Sequence, residues 1–466
     1  MSNIKHKKSN KSKTKCTLPV HLKHLNMNAA GIDVGSISHF VAVPSGSSNT
    51  PVREFKSFTA DLILLANWLK ECEINTVVME STGVYWIPLF ELLESRGFEV
   101  KLVDARHVKN VSGRKTDVLD CQWLQQLHTY GLLSGAFRPN EQVCALRSYL
   151  RQRTMLTQAA SSHINHMQKA LSQMNIQLHN VISDITGETG MRIIRSIVSG
   201  ERNPGVLALK RDRRCKNPIE IIEKSLEGNY RDEHIFSLKQ ALELYDIYND
   251  KIIECDKAIE KQLSKFATSN AHSSTPLVLE KAKKSSRSNC KNAPSFDAKS
   301  HLKRMIGVDL TAIPGIESST ALRIISEIGV DLSQFRSSKA FCSWLGLCPG
   351  NKVSGGKRLG GKSKRTKNKA AEALRMAAFT LHQSKTALGA FFRRLRSRLG
   401  SPKAITAAAH KLATIIYNMI TNGQEYVESG QEYYNIQYRN RMLKSLAFKA
   451  KTLGFELVEN KAISGC

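Results

Sequence analysis

Between Ala29 and Leu133 the hydrophobic period changes again and again, and the order of those changes leaves few folds open. GIDVG, HFVAV and VREFKSF are short strand-like runs separated by Gly, Ser, Asn and Pro. DLILLANWLKEC then takes helical spacing, NTVVM reads as a strand, and VYWIPLFELLESRG as a helix stopped at Gly97. FEVKLV is a fifth strand. The basic loop DARHVKNVSGRK follows it and leads into the helix TDVLDCQWLQQLHTYGLL, with Thr116 placed as its N-cap. Three antiparallel strands therefore precede helix–strand–helix–strand–helix.

That element order is the order of the ribonuclease H-like fold, an α/β architecture. Its acids fall at meaningful places. Asp33 ends the first strand and Glu80 the fourth, while Asp117 and Asp120 stand three residues apart in the last helix and share a face. Hard cations such as Mg²⁺ take oxygen ligands and keep several waters, so convergent carboxylates suffice to bind them. Two such ions about 4 Å apart can stabilise the attacking and leaving oxygens of a phosphodiester. Singly, each acid has a plainer reading: Asp33 as a turn residue, Glu80 as a helix cap, Asp117 as a favourable charge in a first helical turn. Their joint placement favours a catalytic metal cup.

At 466 residues the chain is long enough for two or three domains, and a 41% hydrophobic content supplies real cores. No apolar run reaches the roughly 18–20 residues that span a bilayer. The N-terminal MSNIKHKKSNKSKTKC lacks the apolar core of a secretory signal, so a cytoplasmic protein is expected. Ten cysteines are scattered without a CxxC pair, which argues against a zinc finger or a disulfide framework. Cys342 and Cys348, the nearest pair, read as core residues.

The formal charge of +29 points to a polyanion, of which nucleic acid is the commonest. Between Leu332 and Gln424 the only acid is Glu372, while Lys and Arg recur throughout. A merely solvated face would mix signs. Binding should accordingly weaken steeply with salt, as phosphate contacts release counterions.

Six segments are expected. Residues 1–26, with seven lysines and no acid, form a basic disordered arm. Residues 27–139 are the α/β domain with the acids, and 140–265 a helical connector with a loop near Asn203 to Pro218. Its two long amphipathic stretches suit a coiled coil, either between subunits or within a helical bundle of the monomer. Residues 266–300 read as a flexible linker rich in Ser, Lys, Asn and Ala. Residues 301–422 are a mostly helical domain, and 423–466 a loosely packed tail. LTAIPGIESSTALRIISEIG resembles a helix-hairpin-helix, whose Gly turn presents N–H groups to phosphate. Glu317 stands where a second glycine is usual, and its charge opposes a phosphate there.

One further stretch carries chemistry: KVSGGKRLGGK. A serine nucleophile in phosphoryl transfer needs an accessible hydroxyl and stabilisation of the transition state. Ser354 sits among Gly355, Gly356, Gly360 and Gly361, which allow close backbone approach to DNA. Lys352, Lys357, Arg358 and Lys362 offer charge to phosphates, as do Arg106, Lys109, Arg114 and Lys115 in the earlier basic loop. Composition alone equally allows Ser354 to be a loop serine beside DNA. Tyr85 and Trp86, after Glu80, suit nucleic-acid contact or core packing. GIDVGS by itself would also suit an actin-like ATPase or sugar kinase, but neither a second phosphate loop nor an adenosine site is evident.

Together GIDVG, MESTGVYW, VDARHVK, GRKTDVLD, the IPGI hairpin and LGLCPG-NKVSGGK-RLG resemble the DEDD transposases of the insertion-sequence-110 family, the bridge-RNA-guided recombinases. The likeness spans about 29–130 and 305–420 in the family's order. It implies a RuvC-like N-terminal domain, a coiled-coil connector and a C-terminal transposase domain. It further implies that Asp33, Glu80, Asp117 and Asp120 bind Mg²⁺ and that Ser354 attacks a DNA phosphate to leave a covalent phosphoserine link. Acids of one subunit would act with the serine of another, in a dimer or tetramer holding DNA and a structured guide RNA. The rival readings are a RuvC-like endonuclease that activates water, with Ser354 idle, and a non-catalytic nucleic-acid-binding protein.

Overall fold

The computed structural model describes residues 25–81, 83–103, 117–133, 135–268, 291–350, 352–361, 363–364, 366 and 368–458, with the backbone alone for Lys352, Val353 and Arg358. The chain divides into two compact units after Arg138.

The N-terminal unit is built on a five-stranded sheet of order β3-β2-β1-β4-β5. Its strands are β1 (Ala29–Val34), β2 (Ser38–Ala42), β3 (Val52–Lys56), β4 (Thr76–Glu80) and β5 (Glu99–Val103). β1, β2 and β3 pair antiparallel as a meander, whereas β1, β4 and β5 are parallel. Crossovers supply the helices: α1 (Thr59–Glu71) lies between β3 and β4, and α2 (Trp86–Ser95) between β4 and β5. Both pack on one face, where Leu62, Leu65, Leu69, Leu89 and Leu93 meet Ile32, Val41, Val77 and Met79. The other face takes α3 (Asp117–Thr129), through Leu124 against Val78 and Val103. A parallel strand covered on both faces needs apolar residues on both, which explains the unbroken Ala29, Ala30 and Ile32 run of fully buried side chains. This arrangement agrees with the expected α/β class and with a RuvC-like domain.

The C-terminal unit begins with two 33-residue helices, α4 (Glu141–Gln173) and, after four short helices, α9 (Asp232–Ser264). The short ones are α5 (Leu178–Val181), α6 (Glu188–Val198), α7 (Pro204–Ala208) and α8 (Ile219–Ser225). They close a core of Met167, Leu171, Ile193, Ile197, Leu207, Ile222 and Leu238 at one end of the long pair. α4 and α9 run antiparallel: Gln262 Nε2 donates to the Gln142 carbonyl (3.2 Å), and the Arg153 guanidinium meets the Asp256 carboxylate (2.5 and 3.3 Å). The same guanidinium bonds the carbonyls of Asn292 and Ala293, and Asp256 accepts from the Ser295 amide. The segment expected as linker is thus tied down from Asn292 onward, because a buried ion pair recruits its backbone.

The remaining helices are α10 (Ala298–Ile306), α11 (Ser318–Ile328), α12 (Ser338–Trp344), α13 (Lys369–Thr380), α14 (Ala387–Leu399), α15 (Ser401–Asn422) and α16 (Gln431–Thr452). Glu327 on α11, nearly buried, receives Arg147 and Arg151 from α4 (3.3 and 2.9 Å), which locks the long pair onto this helical group. The tail is more ordered than its composition suggests. Glu425 accepts from the Asp309 amide and Glu428 from the Ala387 amide at the start of α14, before α16 begins.

Candidate active site

The N-terminal site is organised by how closely α3 can approach the sheet. Gly31 and Asp33 project from the same face of β1, since strand side chains alternate. A Cβ on Gly31 would collide with the Gln125 amide nitrogen and the Cys121 carbonyl oxygen of α3. That face of β1 is therefore the α3 face, and Asp33 lies on it. On β4, Val78 packs against Leu124 of α3, so Glu80, two residues on, shares the face. Ile32 is level with Met79 in the parallel register, which puts Asp33 beside Glu80 on neighbouring strands about 4.8 Å apart.

α3 runs against the direction of β4. His128 Nε2 meets Thr76 Oγ1 at 2.9 Å, Leu124 meets Val78, and one turn earlier Asp120 arrives at the level of Glu80. Four helical residues advance about 6 Å and two strand residues about 6.6 Å, so the registers keep step. Asp33, Glu80 and Asp120 thereby stand on one face near the same end of the sheet, each half-buried, while Asp117 lies about one turn farther out and is exposed. Asp33 and Asp120 both lie near the buried Cys121 thiol. Burial pushes its pKa up to about 12, and the nearby charges of Asp33 and Asp120 reinforce that rise. Its Sγ donates to the Val118 carbonyl within the first turn of α3 (3.1 Å).

Surrounding bonds fix the strand ends. The Gly35 amide donates to the Ser38 carbonyl just past Asp33, and Ser81 gives both its amide and its hydroxyl to the Val103 carbonyl just past Glu80 (all 3.1 Å). The donor set is oxygen only, which fits a hard divalent cation. Among the described residues no three His, Cys, Asp or Glu side chains are already gathered as a cage.

In the C-terminal unit, Ser354 ends β6 (Lys352–Ser354) and pairs with Lys357, the first residue of β7 (Lys357–Gly360). Gly355 and Gly356 join the strands with φ of 54° and 73°, the two left-handed residues of a type I′ hairpin turn. Ser354 is thus exposed at a hairpin tip, with exposed Lys357 opposite. The hairpin base is held where Pro349 bridges Ser363 and where the Cβ side of Gly346 (φ 68°) faces Thr366. Arg106, Lys109, Arg114, Lys115 and Lys362 lie outside the described residues. Lys352 and Arg358 are placed in the hairpin by their backbone alone.

Two expectations sharpen. Trp86 packs against the sheet core, with the Arg138 guanidinium beside its ring, whereas Tyr85 remains 48% exposed. Gly315 of the IPGI turn (φ 84°) faces α13, where a Cβ would lie 2.8 Å from the Ala377 carbonyl and 2.9 Å from Thr380 Oγ1. Sequence reasoning overlooked Gly31, although a glycine inside an apolar strand is itself a signal of close backbone approach.

A family model described as a transposase, of the DEDD type in IS110 elements, matches residues 30–176. Proteins of this type are generally metal-dependent. A second, described as transposase of the IS116/IS110/IS902 family, matches residues 309–393. No curated protein matches the chain. The first match spans all four acids and the second spans Ser354, in this order along one polypeptide, and the chain belongs to the IS110 family of DEDD transposases, which act on DNA as recombinases.

Proposed function

We propose that this transposase cuts and rejoins DNA through Ser354, with Asp33, Glu80, Asp117 and Asp120 as the acids that hold Mg²⁺. The observation that carries the serine reading is the exposed hydroxyl at the tip of a Gly-Gly I′ hairpin, flanked by lysine. Such a tip can enter a DNA groove with little backbone bulk. The Ser354 hydroxyl loses its proton as its oxygen attacks a DNA phosphorus, and the phosphorus–oxygen bond to the departing strand end breaks. The departing oxygen takes up a proton and leaves as a hydroxyl. One phosphate ester replaces another, so a second strand end can reverse the exchange and rejoin DNA without an external energy source. Mg²⁺ would supply neutralisation of the negative charge that builds on the phosphate oxygens. Asp33, Glu80 and Asp120 would bind it from one face, with Asp117 completing the set from the next turn of α3.

The remaining partners are DNA of the element ends and target, a structured guide RNA, and further copies of this chain in a dimer or tetramer. The guide RNA rests on family resemblance. The α4–α9 pair serves as the coiled-coil connector through which copies associate. Gly315 in the hairpin-like IPGI element is read as a packing residue, since its Cβ side meets α13 and Glu317 repels phosphate. The water-activating endonuclease is the second reading, supported by the carboxylate face alone.

Incubation with RNA and labelled DNA separates the two. A protease-sensitive protein–DNA adduct is expected in the wild type and not in Ser354→Ala, with DNA binding retained in both. An adduct that persists without the serine hydroxyl refutes this mechanism.

A further inference from the structure

Two exposed faces of the C-terminal unit have no role in the chemistry above. The first is on α16, a 22-residue helix with no buried residue. Its first two turns are anchored: Arg393 donates to Gln431 (2.7 Å) and Arg394 to Asn435 (2.9 Å), with the Arg394 guanidinium 3.8 Å from the Tyr438 ring centroid. Ile436, Leu443 and Leu446 stand seven and three residues apart on one face and are 57%, 43% and 45% exposed. DNA or RNA phosphates do not explain an aliphatic stripe, which gains by leaving water against other apolar groups.

The second face is on α9. Phe236, Leu244 and Ile247 are 63%, 37% and 52% exposed, with Glu243, Asp250 and Glu254 on the same side. In a chain of net charge +29, α9 carries eight acids against four lysines, whereas α16 carries five cations against Glu432 alone. Self-pairing of either helix would place like charges together; pairing α9 with α16 places opposite ones together. The lengths also match. Ile436 to Leu446 spans about 15 Å of helix and Phe236 to Ile247 about 16 Å.

We propose that α16 of one copy docks on the solvent face of α9 in a second copy, reciprocally about a two-fold axis. With the two helices antiparallel, Arg439, within the apolar stripe, falls level with Glu243 of the second chain. This names the contact surface for the self-association proposed above and rests on that reading.

The test is sedimentation velocity of the full-length, nuclease-treated protein over a range of concentrations. Leu443→Asp and Ile247→Asp should each weaken self-association by at least about tenfold. An equimolar mixture of the two variants should recover part of it, because the mixed pair keeps one intact α16 facing one intact α9. Docking within a single chain predicts no recovery on mixing and overturns the proposal. Arg439→Glu provides a milder variant should an Asp variant misfold; combining it with Glu243→Arg should restore association. Unchanged association in Leu443→Asp, Ile247→Asp and Arg439→Glu overturns the docking while leaving association through other surfaces intact. A wild type that is monomeric at every concentration removes both.

Discussion

The carbonyl oxygen of Cys121 lies where a side chain on Gly31 would have to begin. This one contact sets the distance between α3 and β1, and through it the relation of Asp120 to Asp33 and Glu80. Gly31→Ala should therefore push α3 away. Overpacking of this kind costs about 1–3 kcal/mol, and the larger loss should be in DNA cleavage, by about a hundredfold if the acids shift by 1 Å. Gly46→Ala, where a Cβ meets open space, is the matched control and should change neither melting temperature nor cleavage. Equal behaviour of the two variants would show that the close approach does not position the acids.

At the hairpin tip, Gly355 holds φ at 54°, a region that Asn tolerates and Val does not. Gly355→Asn should keep much of the strand-transfer rate, and Gly355→Val should lose most of it. Left-handed backbone costs a non-glycine residue about 1–2 kcal/mol. Because the tip is exposed, melting temperatures should barely differ. Strand-transfer rates measured beside thermal melts check this.

His128 is buried on α3, and burial lowers its pKa from 6.5 to about 4 despite the bond to Thr76. A depressed histidine pKa means that the unfolded chain binds a proton more readily than the folded one. The N-terminal unit should keep its full stability above pH 6.5 and lose it as pH falls from 6.5 towards 4, by up to about 3 kcal/mol. His128→Gln should flatten that window relative to wild type. Denaturant titrations at pH 7.0, 5.5 and 4.5 test the difference between the two slopes.

Asp256 is buried to 2% exposure and pairs with Arg153 across the α4–α9 seam. Asp256→Ala leaves that guanidinium uncompensated and should cost about 3–5 kcal/mol. Asp256→Leu with Arg153→Met should recover much of this, since replacing both partners removes the stranded charge. A double-mutant cycle by chemical denaturation gives the coupling. Digestion near residues 291–297 should also quicken in Asp256→Ala, whose carboxylate holds the Ser295 amide.

Much of the N-terminal unit was legible because its strands are short and buried. Hydrophobic period and glycine breaks together announce β1 to β5 and the helices between them, whereas Thr116, expected as the cap of α3, lies outside the described residues. Asp33 and Glu80 stood out in the sequence for the same reason: each breaks a short apolar run near the end of its strand, Asp33 one residue before the end of β1 and Glu80 at the end of β4. The α16 helix was missed, since none of its residues is buried and its amphipathic stripe is interrupted by Arg439.

By itself the sequence determined the element order, the charge that calls for a polyanion, and which residue types stand at the strand ends and at the Gly-Gly turn. These follow from local periods and backbone preferences. Tertiary structure alone decided that Gly31 faces α3, that Asp120 rather than Asp117 reaches the level of Asp33 and Glu80, and that Gly315 meets α13. Each of these depends on the register between elements distant along the chain, and packing against a particular neighbour sets that register.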